Sequence, residues 1–334
     1  MATIYEVSKV AGVSLATVSR VMNGNSKVSE RTRNKVLKAM DELGYRPNAI
    51  AQSLASNRTN SVGLLVSELH GSFFGDLMST VEKELRANGK HVIITAGHSD
   101  EAREKEAIEF LKSRRCDALI LHAEAVCDDY LRELNESGVS LVLVNRMVPG
   151  MEQQCFVLDN EAGGYLATKA AIEAGHRDIG YISGPQSKED ARQRLAGHVR
   201  ALREAGLNPE DALIYQGDYH ESEGANGFKQ LWQQHPGFSA LICANDEMAS
   251  GAMTAAREEG ISIPEQLSVV GFDDVLFARY LHPRLTTVDN PVSAMGLMAA
   301  RWVLLNVYKK KLSGVIKNVF LPELISRDSL GTHL

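Results

Sequence analysis

The sequence predicts an α + α/β protein with an N-terminal helix-turn-helix headpiece, a hinge helix, and two doubly wound parallel-sheet lobes. Apolar residues recur at helical spacing in the first 46 residues, and strand-like runs alternate with helix-like runs from Ser61 onwards. The chain has 334 residues, 44% of them hydrophobic, which exceeds one small core and suits two or three domains.

The headpiece pattern begins with two short helices around a glycine turn. One face of the first helix carries the apolar residues Ile4, Val7, Val10 and Ala11. Gly12 breaks this helix, and Ser14 is a candidate N-cap for the second. In the second helix we expect Val18, Val21 and Met22 to face inward. Its outward residues are short enough to approach a base-pair edge: Leu15, Ala16, Thr17, Ser19 and Arg20. This pattern favours a DNA-reading helix, with an ordinary helical hairpin as the alternative.

A third helix is predicted to close the core of the headpiece, because two helices alone cannot do so. Ser29 is its candidate N-cap, and its predicted buried residues are Val36, Leu37, Met40 and Leu43. Residues 1–60 hold nine Lys and Arg against four acidic residues, whereas the whole chain has a net charge of −6. A basic unit on an acidic body is typical of a headpiece that neutralises phosphates, although a solvated basic face remains possible.

Residues 47–60 are predicted to form a hinge and linker. Pro47 stops the preceding helix, and Asn48 can cap a new helix of two turns. A helix this short is marginal in water, so we expect it to form against a second subunit over DNA. There Leu54 would wedge between base steps in the minor groove. The alternative is a plain linker with a frayed helix.

From Ser61 onwards, short apolar runs alternate with helical runs, as expected for parallel strands covered on both faces. A second series of such runs begins with a predicted strand at Phe156–Asp159. Two similar lobes follow, and in such sheets ligands bind beyond the carboxyl ends of the strands. The cleft between the lobes is therefore the predicted ligand site.

Polar residues collect at the predicted strand ends: Asn145-Arg146, Asn245-Asp246 and Asp273-Asp274, with Arg192 and Arg194 opening a helix. A neutral polyol needs fixed donors and acceptors together with an apolar surface, which Phe73, Phe74 or Tyr219 would supply. The alternative for each strand-end residue is a helix cap or a turn. His122 is predicted to be structural or to face the ligand.

Several function classes are disfavoured. The sequence contains no phosphate-binding P-loop and no nucleophile elbow, and Gly163-Gly164 lies inside a helical run, so we expect no enzyme activity. Four scattered cysteines without ligand spacing favour reduced thiols and predict neither a metal site nor a cofactor. Without a signal peptide or an apolar run of spanning length, we expect a cytoplasmic protein with no membrane partner.

Five segments are characteristic in combination: MATIYEVSKVAGVSLATVSRVMNG, VSERTRNKVLKAMDELGYRPNAIAQSL, ARQRLAG, CANDEMASGAM and LSVVGFDDVLFARYLHPRLTTV. They resemble the lactose/galactose repressor family of bacterial transcription regulators, nearest its galactose repressor and isorepressor branch. The resemblance covers essentially the whole chain. It implies lobes of the periplasmic-binding-protein type.

The resemblance also implies roles for single residues. Leu15 and Ala16 occupy base-reading positions, Thr17 and Ser19 are placed for phosphate or base contact, and Arg20 matches an arginine that reads a guanine. The predicted DNA contacts are Thr3, Ser14, Leu15, Ala16, Thr17, Ser19, Arg20, Asn23, Asn48, Ala51 and Leu54. The predicted effector contacts are Phe73, Phe74, His122, Asn145, Arg194, Tyr219, Asn245 and Asp273. Two positions depart from relatives: Ala55 stands where purine-type members often have lysine, and Asn145 replaces an aspartate of the lactose repressor.

The predicted domains are a headpiece (1–46), a hinge (47–60) and an effector-binding and dimerisation domain (61–334). Its lobes are predicted at about 61–160 plus 291–320, and 161–290 plus 321–334. We expect a homodimeric repressor of sugar-utilisation genes, released from double-stranded operator DNA by galactose or a galactoside. No leucine heptads follow the last segment, which favours a dimer over a tethered tetramer. The alternative is a soluble sugar-binding receptor with no direct DNA role.

Overall fold

The computed structural model describes residues 2–22, 28–46 and 58–333 and divides the chain into two units, Met1–Asn60 and Ser61–Leu334. Most of the predicted hinge lies outside the described residues, as do the predicted DNA contacts Asn23, Asn48, Ala51 and Leu54. Among the described helices, none has the length and apolar character needed to cross a membrane.

Three helices form the described part of the first unit: α1 (Ile4–Ala11), α2 (Leu15–Met22) and α3 (Glu30–Glu42). The predicted caps at Ser14 and Ser29 are confirmed, because their hydroxyl oxygens accept from the backbone N–H of Thr17 and Thr32 at 3.2 and 3.4 Å. Gly12 ends α1 with a φ of 65°, in the left-handed region that glycine adopts without strain.

The core of this unit is narrower than the sequence pattern predicts. Its buried residues are Val7, Ala11, Val18, Val21, Val36 and Ala39. Val10, on the predicted apolar face of the first helix, and Leu37, predicted to be buried, are 52% and 49% exposed. Each of these short helices buries only about one residue per turn, which forms a narrow buried face. The side chains of Val10 and Leu37 lie outside this face. Met40 and Leu43 are half-buried against the core.

The second unit begins with β1 (Ser61–Val66), α4 (Ser72–Ala87), β2 (His91–Ala96), α5 (Glu101–Ser113), β3 (Ala118–Leu121), α6 (Asp128–Glu136), β4 (Leu141–Val144) and β5 (Cys155–Leu158). It continues with α7 (Asn160–Glu173), β6 (Ile179–Ser183), α8 (Glu189–Glu204), β7 (Leu213–Gln216), α9 (Glu221–Gln234), β8 (Ala240–Cys243), α10 (Asp246–Glu258) and β9 (Ser268–Val270). The last elements are β10 (Thr287–Val288), α11 (Val292–Asn306), β11 (Val319–Phe320) and β12 (Leu324–Ile325). Short 3-10 turns lie at Glu152–Gln154, Pro209–Asp211 and Leu276–Arg279.

The first lobe is built on a parallel sheet with the strand order β11-β5-β4-β3-β1-β2. Its inner strands β1, β3 and β4 are covered on both faces. Leu64 packs in the layer that holds α4 and α11, whereas Leu65 packs in the layer that holds α5 and α6. The strand that begins the second predicted series lies within the predicted first lobe (about 61–160), and it joins the first sheet, because Cys155 in β5 pairs with Leu143 in β4. A single run of apolar residues does not reveal which sheet its backbone joins.

The second lobe is built on a parallel sheet with the order β7-β6-β8-β9, beside the antiparallel pair β10 and β12. The chain passes between the lobes three times: after β5, between β10 and α11, and between β11 and β12. Helices α7 and α8 approach closely at two glycines. A Cβ on Gly164 would lie 2.0 Å from the carbonyl oxygen of Arg194, and one on Gly197 would lie 2.1 Å from that of Glu161.

We therefore expect Gly164→Ala to lower the free energy of unfolding by about 1–3 kcal/mol, because α7 must move away from the α8 backbone. Urea unfolding followed by the fluorescence of Trp232 and Trp302 measures this change. The matched control is Gly75→Ala in α4, where a Cβ meets no atom within 4 Å and a gain of about 0.4–1 kcal/mol is expected. Equal unfolding midpoints for the two variants would contradict the close packing.

Candidate functional site

In the first unit, the outward face of α2 presents Ala16, Ser19 and Arg20 to solvent, with Leu15 and Thr17 half-buried. The hydroxyls of Ser14 and Thr17 lie 2.9 Å apart, within the cap of the helix. Thr3 is also a cap: its backbone N–H donates to the Glu6 carboxylate at 2.7 Å, and its hydroxyl oxygen accepts from the Glu6 backbone N–H at 3.4 Å. Thr3 and Ser14 thus hold helix ends, and their contacts with DNA stay predictions.

In the second unit, the structure brings all the predicted effector contacts to one cavity between the lobes. It has about 770 Å³ of atom-free space, part of which opens to solvent. Phe73, Phe74, His122 and Asn145 reach it from the first lobe, whereas Arg194, Tyr219, Asn245 and Asp273 reach it from the second.

The floor of the cavity is organised around Arg194, which is only 3% exposed. Its Nη1 donates to the Ala244 carbonyl oxygen at 2.6 Å, and its Nε donates to Asn160 Oδ1 at 2.9 Å. The carboxylates of Asp273 and Asp190 lie 3.5 and 3.8 Å from the guanidinium. These contacts fix the position of the cation. Sequence reasoning missed Asp190, although its i,i+4 spacing from Arg194 on α8 is a detectable signal.

Asp273 is a buried carboxyl group whose backbone has a φ of 108°. Burial raises its pKa from 3.8 to about 6, although the charge of Arg194 and a hydrogen bond from Asn290 oppose the rise. Asn290 Nδ2 donates to Asp273 Oδ1 at 2.9 Å. Asp273 therefore faces the cavity from a fixed position. Burial favours its neutral form, whereas Arg194 and Asn290 favour its charged form, and the balance sets its pKa at about 6.

An ion pair that the sequence did not reveal joins the lobes across the cavity. Lys188 Nζ in the second lobe lies 2.9 Å from the Glu124 carboxylate in the first, and both side chains are mostly buried. Ser67 also donates to Glu124, at 2.9 Å. Burial alone would raise the pKa of Glu124, but the charges of His122 and Lys188, with hydrogen bonds from Lys188 and Ser99, lower it to about 2.

Three polar atoms around the cavity are buried without a hydrogen-bond partner in the described part of the chain: Tyr219 Oη, Asn145 Oδ1 and His122 Nε2. Burial raises the pKa of Tyr219 well above 10, so its hydroxyl stays neutral and can donate. The rings of Phe73 and Phe74 stand edge-on to His122, with centroids 6.1 and 5.3 Å from it. The cavity thus combines unmet polar groups with an aromatic wall, as a polyol site requires.

Other polar residues at strand ends have structural roles. Asn245 caps α10, since its Oδ1 accepts from the Met248 backbone N–H at 2.9 Å, and its Nδ2 donates to the Tyr219 carbonyl oxygen at 2.8 Å. The other polar residues singled out from the sequence bond to protein groups. The Asp246 carboxylate accepts from Thr287 and Val275, and Asp274 pairs with Arg327. Arg146 donates to Ala123, Val126 and Asp128, and Arg192 donates to Gln186, Ser187 and Glu189. The cap alternative is therefore confirmed for Asn245.

Comparison with known proteins is informative for both units. Residues 3–48 match the family "bacterial regulatory proteins, lacI family", and residues 59–319 match "periplasmic binding proteins and sugar binding domain of LacI family". The transcriptional regulator GalR of Escherichia coli is 42% identical over 332 residues, covering 99% of this chain and 96% of GalR.

Solved structures of transcriptional regulators are also similar to this chain. A lac repressor dimer bound to operator and the anti-inducer ONPF is 28% identical, with a TM-score of 0.86 over 99% of both chains. The transcriptional regulator CelR in complex with cellobiose is 32% identical, with a TM-score of 0.71 over 98% of this chain and 100% of CelR. These relatives are regulators and repressors, not enzymes.

The raised pKa of Asp273 predicts a pH-dependent stability. Because the folded-state pKa of about 6 exceeds the ordinary 3.8, the stability contributed by the protonated group is present below pH 3.8. It is lost as the pH rises through 6. The free energy of unfolding of Asp273→Asn, measured relative to the unsubstituted protein, should therefore increase from pH 4 to pH 7, by no more than about 3 kcal/mol.

The control for this measurement is Asp328→Asn. A hydrogen bond from Arg284 lowers the pKa of Asp328, so its ionised form stabilises the fold above its ordinary pKa. The relative stability of Asp328→Asn should accordingly stay nearly constant from pH 4 to pH 7 and change only at lower pH. A profile for Asp273→Asn as flat as that of the control, or one that falls as the pH rises, would contradict the assignment.

Proposed function

The chain belongs to the lacI family of bacterial regulatory proteins and is a DNA-binding, sugar-responsive transcriptional repressor, and we propose that galactose or a galactoside releases it from its operator. The observation that carries this proposal is the cavity with buried, partnerless polar atoms on both lobes. A ligand with several hydroxyl groups can donate to Asn145 Oδ1 and also accept from Tyr219 Oη, so its binding removes two desolvation penalties.

The charges of the cavity favour an uncharged sugar over a sugar phosphate. Its lining includes the carboxyl groups of Glu68, Glu124, Asp190, Asp218, Glu247 and Asp273. Only two permanently cationic side chains, Lys188 and Arg194, belong to the described lining, and both are engaged with carboxylates. A phosphate group would meet like charges that are already buried, which costs free energy.

Galactose is proposed within this class because the chain is similar to GalR. CelR, which is 32% identical to this chain, was solved with cellobiose. Another hexose or an aryl-glucoside is the second choice, because exchange of one hydroxyl partner can change sugar preference. Asn145, with a free Oδ1 where the lactose repressor has a carboxylate, is the residue most able to make that difference.

On the DNA side, we propose a homodimer in which each headpiece (1–46) places α2 in one major-groove half-site, with residues 47–60 as the hinge and 61–334 as the dimerising body. A two-fold protein matches a palindromic operator. The lac repressor dimer was solved on its operator. Since the protein acts on the genome, we place it in the cytoplasm.

Release follows from thermodynamic linkage. If the sugar binds better to one arrangement of the lobes and the operator to another, each must weaken the binding of the other by the same factor. A hundredfold effect requires about 2.8 kcal/mol of differential binding, which two or three hydrogen bonds made in only one arrangement can supply. The partnerless atoms of Tyr219 and Asn145 are candidates for such bonds.

The experiment that tests this function has two parts. An operator is selected from random palindromic duplexes by the full chain, and its dissociation constant is measured by fluorescence anisotropy with and without each sugar. Calorimetry with galactose, methyl β-galactoside, cellobiose and galactose 1-phosphate identifies the effector. We expect a neutral galactoside to bind and to weaken operator affinity. Saturation of the cavity with no change in operator affinity would refute the coupling, whereas binding of only the phosphate would refute the effector.

Arg20→Ala is expected to reduce the preference for the selected operator over a scrambled duplex by about 1–3 kcal/mol per half-site, because a bidentate arginine–guanine contact is lost. Salt-dependent binding to the scrambled duplex should persist. The control is Lys38→Ala, which removes one charge from α3. In the original protein the Lys38 ammonium pairs only weakly with the Glu42 carboxylate, at 3.8 Å. It should weaken binding to both duplexes equally. An unchanged preference in Arg20→Ala would remove this residue from base reading.

Tyr219→Phe is expected to weaken galactoside binding about 5- to 30-fold, since a hydrogen bond of about 1–2 kcal/mol is lost. The same change should leave the sugar-free protein equally stable or more stable, because a buried hydroxyl without a partner is removed. Calorimetry and urea unfolding measure the two effects. In the control, Tyr165→Phe breaks a surface hydrogen bond to Glu204 of 2.6 Å and should not change sugar affinity. A less stable Tyr219→Phe protein with normal affinity would contradict the assignment.

A further inference from the structure

We propose that Glu68, His70 and His220 form a transition-metal site at the mouth of the cavity and that a bound Zn²⁺ joins the two lobes. One carboxylate and two imidazoles are a donor set that suits zinc. Sequence spacing gave no sign of this site, because His220 lies 150 positions beyond His70. The fold brings the three residues together.

The donor atoms are close enough for one ion. His70 Nε2 lies 3.0 Å from one Glu68 carboxylate oxygen, and His220 Nε2 lies 3.8 Å from the other. One ligand atom from each of the three side chains lies within 4.8 Å of the other two. The imidazole rings are nearly parallel, with an interplanar angle of 9° and centroids 6.5 Å apart. Small side-chain rotations would bring all three atoms to zinc-ligand distance, about 2.0–2.2 Å from a common centre.

The three ligands come from different lobes. Glu68 and His70 follow β1 of the first sheet, whereas His220 follows β7 of the second sheet and occupies the N-cap position of α9. An ion held by all three would therefore cross-link the lobes. Because its affinity for one lobe alone would be lower, the ion would favour the arrangement in which the lobes are close.

The surroundings favour a cation and leave it accessible. The carboxyl groups of Asp218 and Glu247 line the same cavity. The side chains of His70 and His220 are 75% and 47% exposed, so an ion can reach them from solvent and keep water as a further ligand. The deeper polar groups at Tyr219 and Arg194 are buried. The proposed metal site is thus the exposed part of the same cavity whose buried part holds Tyr219 and Arg194.

The regulatory consequence rests on the proposed function. Zn²⁺ at the mouth would hold the lobes together over a bound sugar and slow its release. Since the closed arrangement would be favoured before the sugar binds, sugar affinity would rise as well. By linkage, the sugar would tighten the binding of Zn²⁺ by the same factor.

The test uses the full chain and Zn²⁺ alone, in competition with a chromophoric chelator. We expect His70→Ala and His220→Ala each to weaken the tightest Zn²⁺ site by about tenfold or more, because one of three protein ligands is lost. The control is His235→Ala, which removes an exposed histidine that lies 3.0 Å from Asp178 and has no third ligand among the described residues. Equal Zn²⁺ affinity in the original protein and in both site variants would overturn the proposal.

A second measurement tests the cross-link separately. The dissociation rate of the galactoside identified by calorimetry is measured with and without Zn²⁺ in each protein. Zn²⁺ should slow release in the original protein and in His235→Ala, but not in His220→Ala, which retains only the ligands of the first lobe. Slowing in His220→Ala would refute the bridge. If no sugar binds, the proposed effector fails, whereas the chelator competition still decides the metal site.

Discussion

The buried guanidinium of Arg194 is the constraint on which the cavity between the lobes depends. A cation that is 3% exposed must be paired and hydrogen-bonded, or its burial would cost several kcal/mol. The fold meets this requirement with a carbonyl oxygen from the end of β8, an amide oxygen from the start of α7, and carboxylates on α8 and after β9. Four elements are thereby held together at Arg194, and the lack of a side chain at Gly164 lets α7 approach the Arg194 backbone on α8.

Much of this architecture could be predicted, because the pattern of residues close together in the sequence is sufficient to predict it. Caps at Ser14 and Ser29, the alternation of strands and helices, and the polar strand ends all depend on neighbours within a few residues. The errors come from interactions that local pattern does not contain. Val10 and Leu37 have apolar side chains at helical spacing but lie beside a narrow core. The strand at Cys155–Leu158 has the composition of a buried strand and gives no indication of which sheet it joins.

The cavity was predictable in outline and not in its electrostatics. Ligands bind beyond the carboxyl ends of the strands in such sheets, so Asn145 after β4 of the first lobe and Asp273 after β9 of the second could be assigned to the cleft from sequence. Glu124 and Lys188 could not be paired, because 64 positions separate them and they lie in different lobes. The same is true of His70 and His220. Contacts across a cleft depend on how the sheets of the two lobes face each other. The three passages of the chain between the lobes determine that arrangement together.

The partnerless atoms of Tyr219, Asn145 and His122 have a consequence for the lifetime of the protein in a cell. A buried polar atom costs about 1–3 kcal/mol while it stays without a partner, so a sugar that bonds to these atoms adds to the stability of the native state. A ligand that satisfies these atoms binds only the native state and lowers the population of unfolded chains on which proteases act. The proposed sugar effector would thus also protect the repressor from degradation, so that a full pool of repressor is ready when the sugar is exhausted.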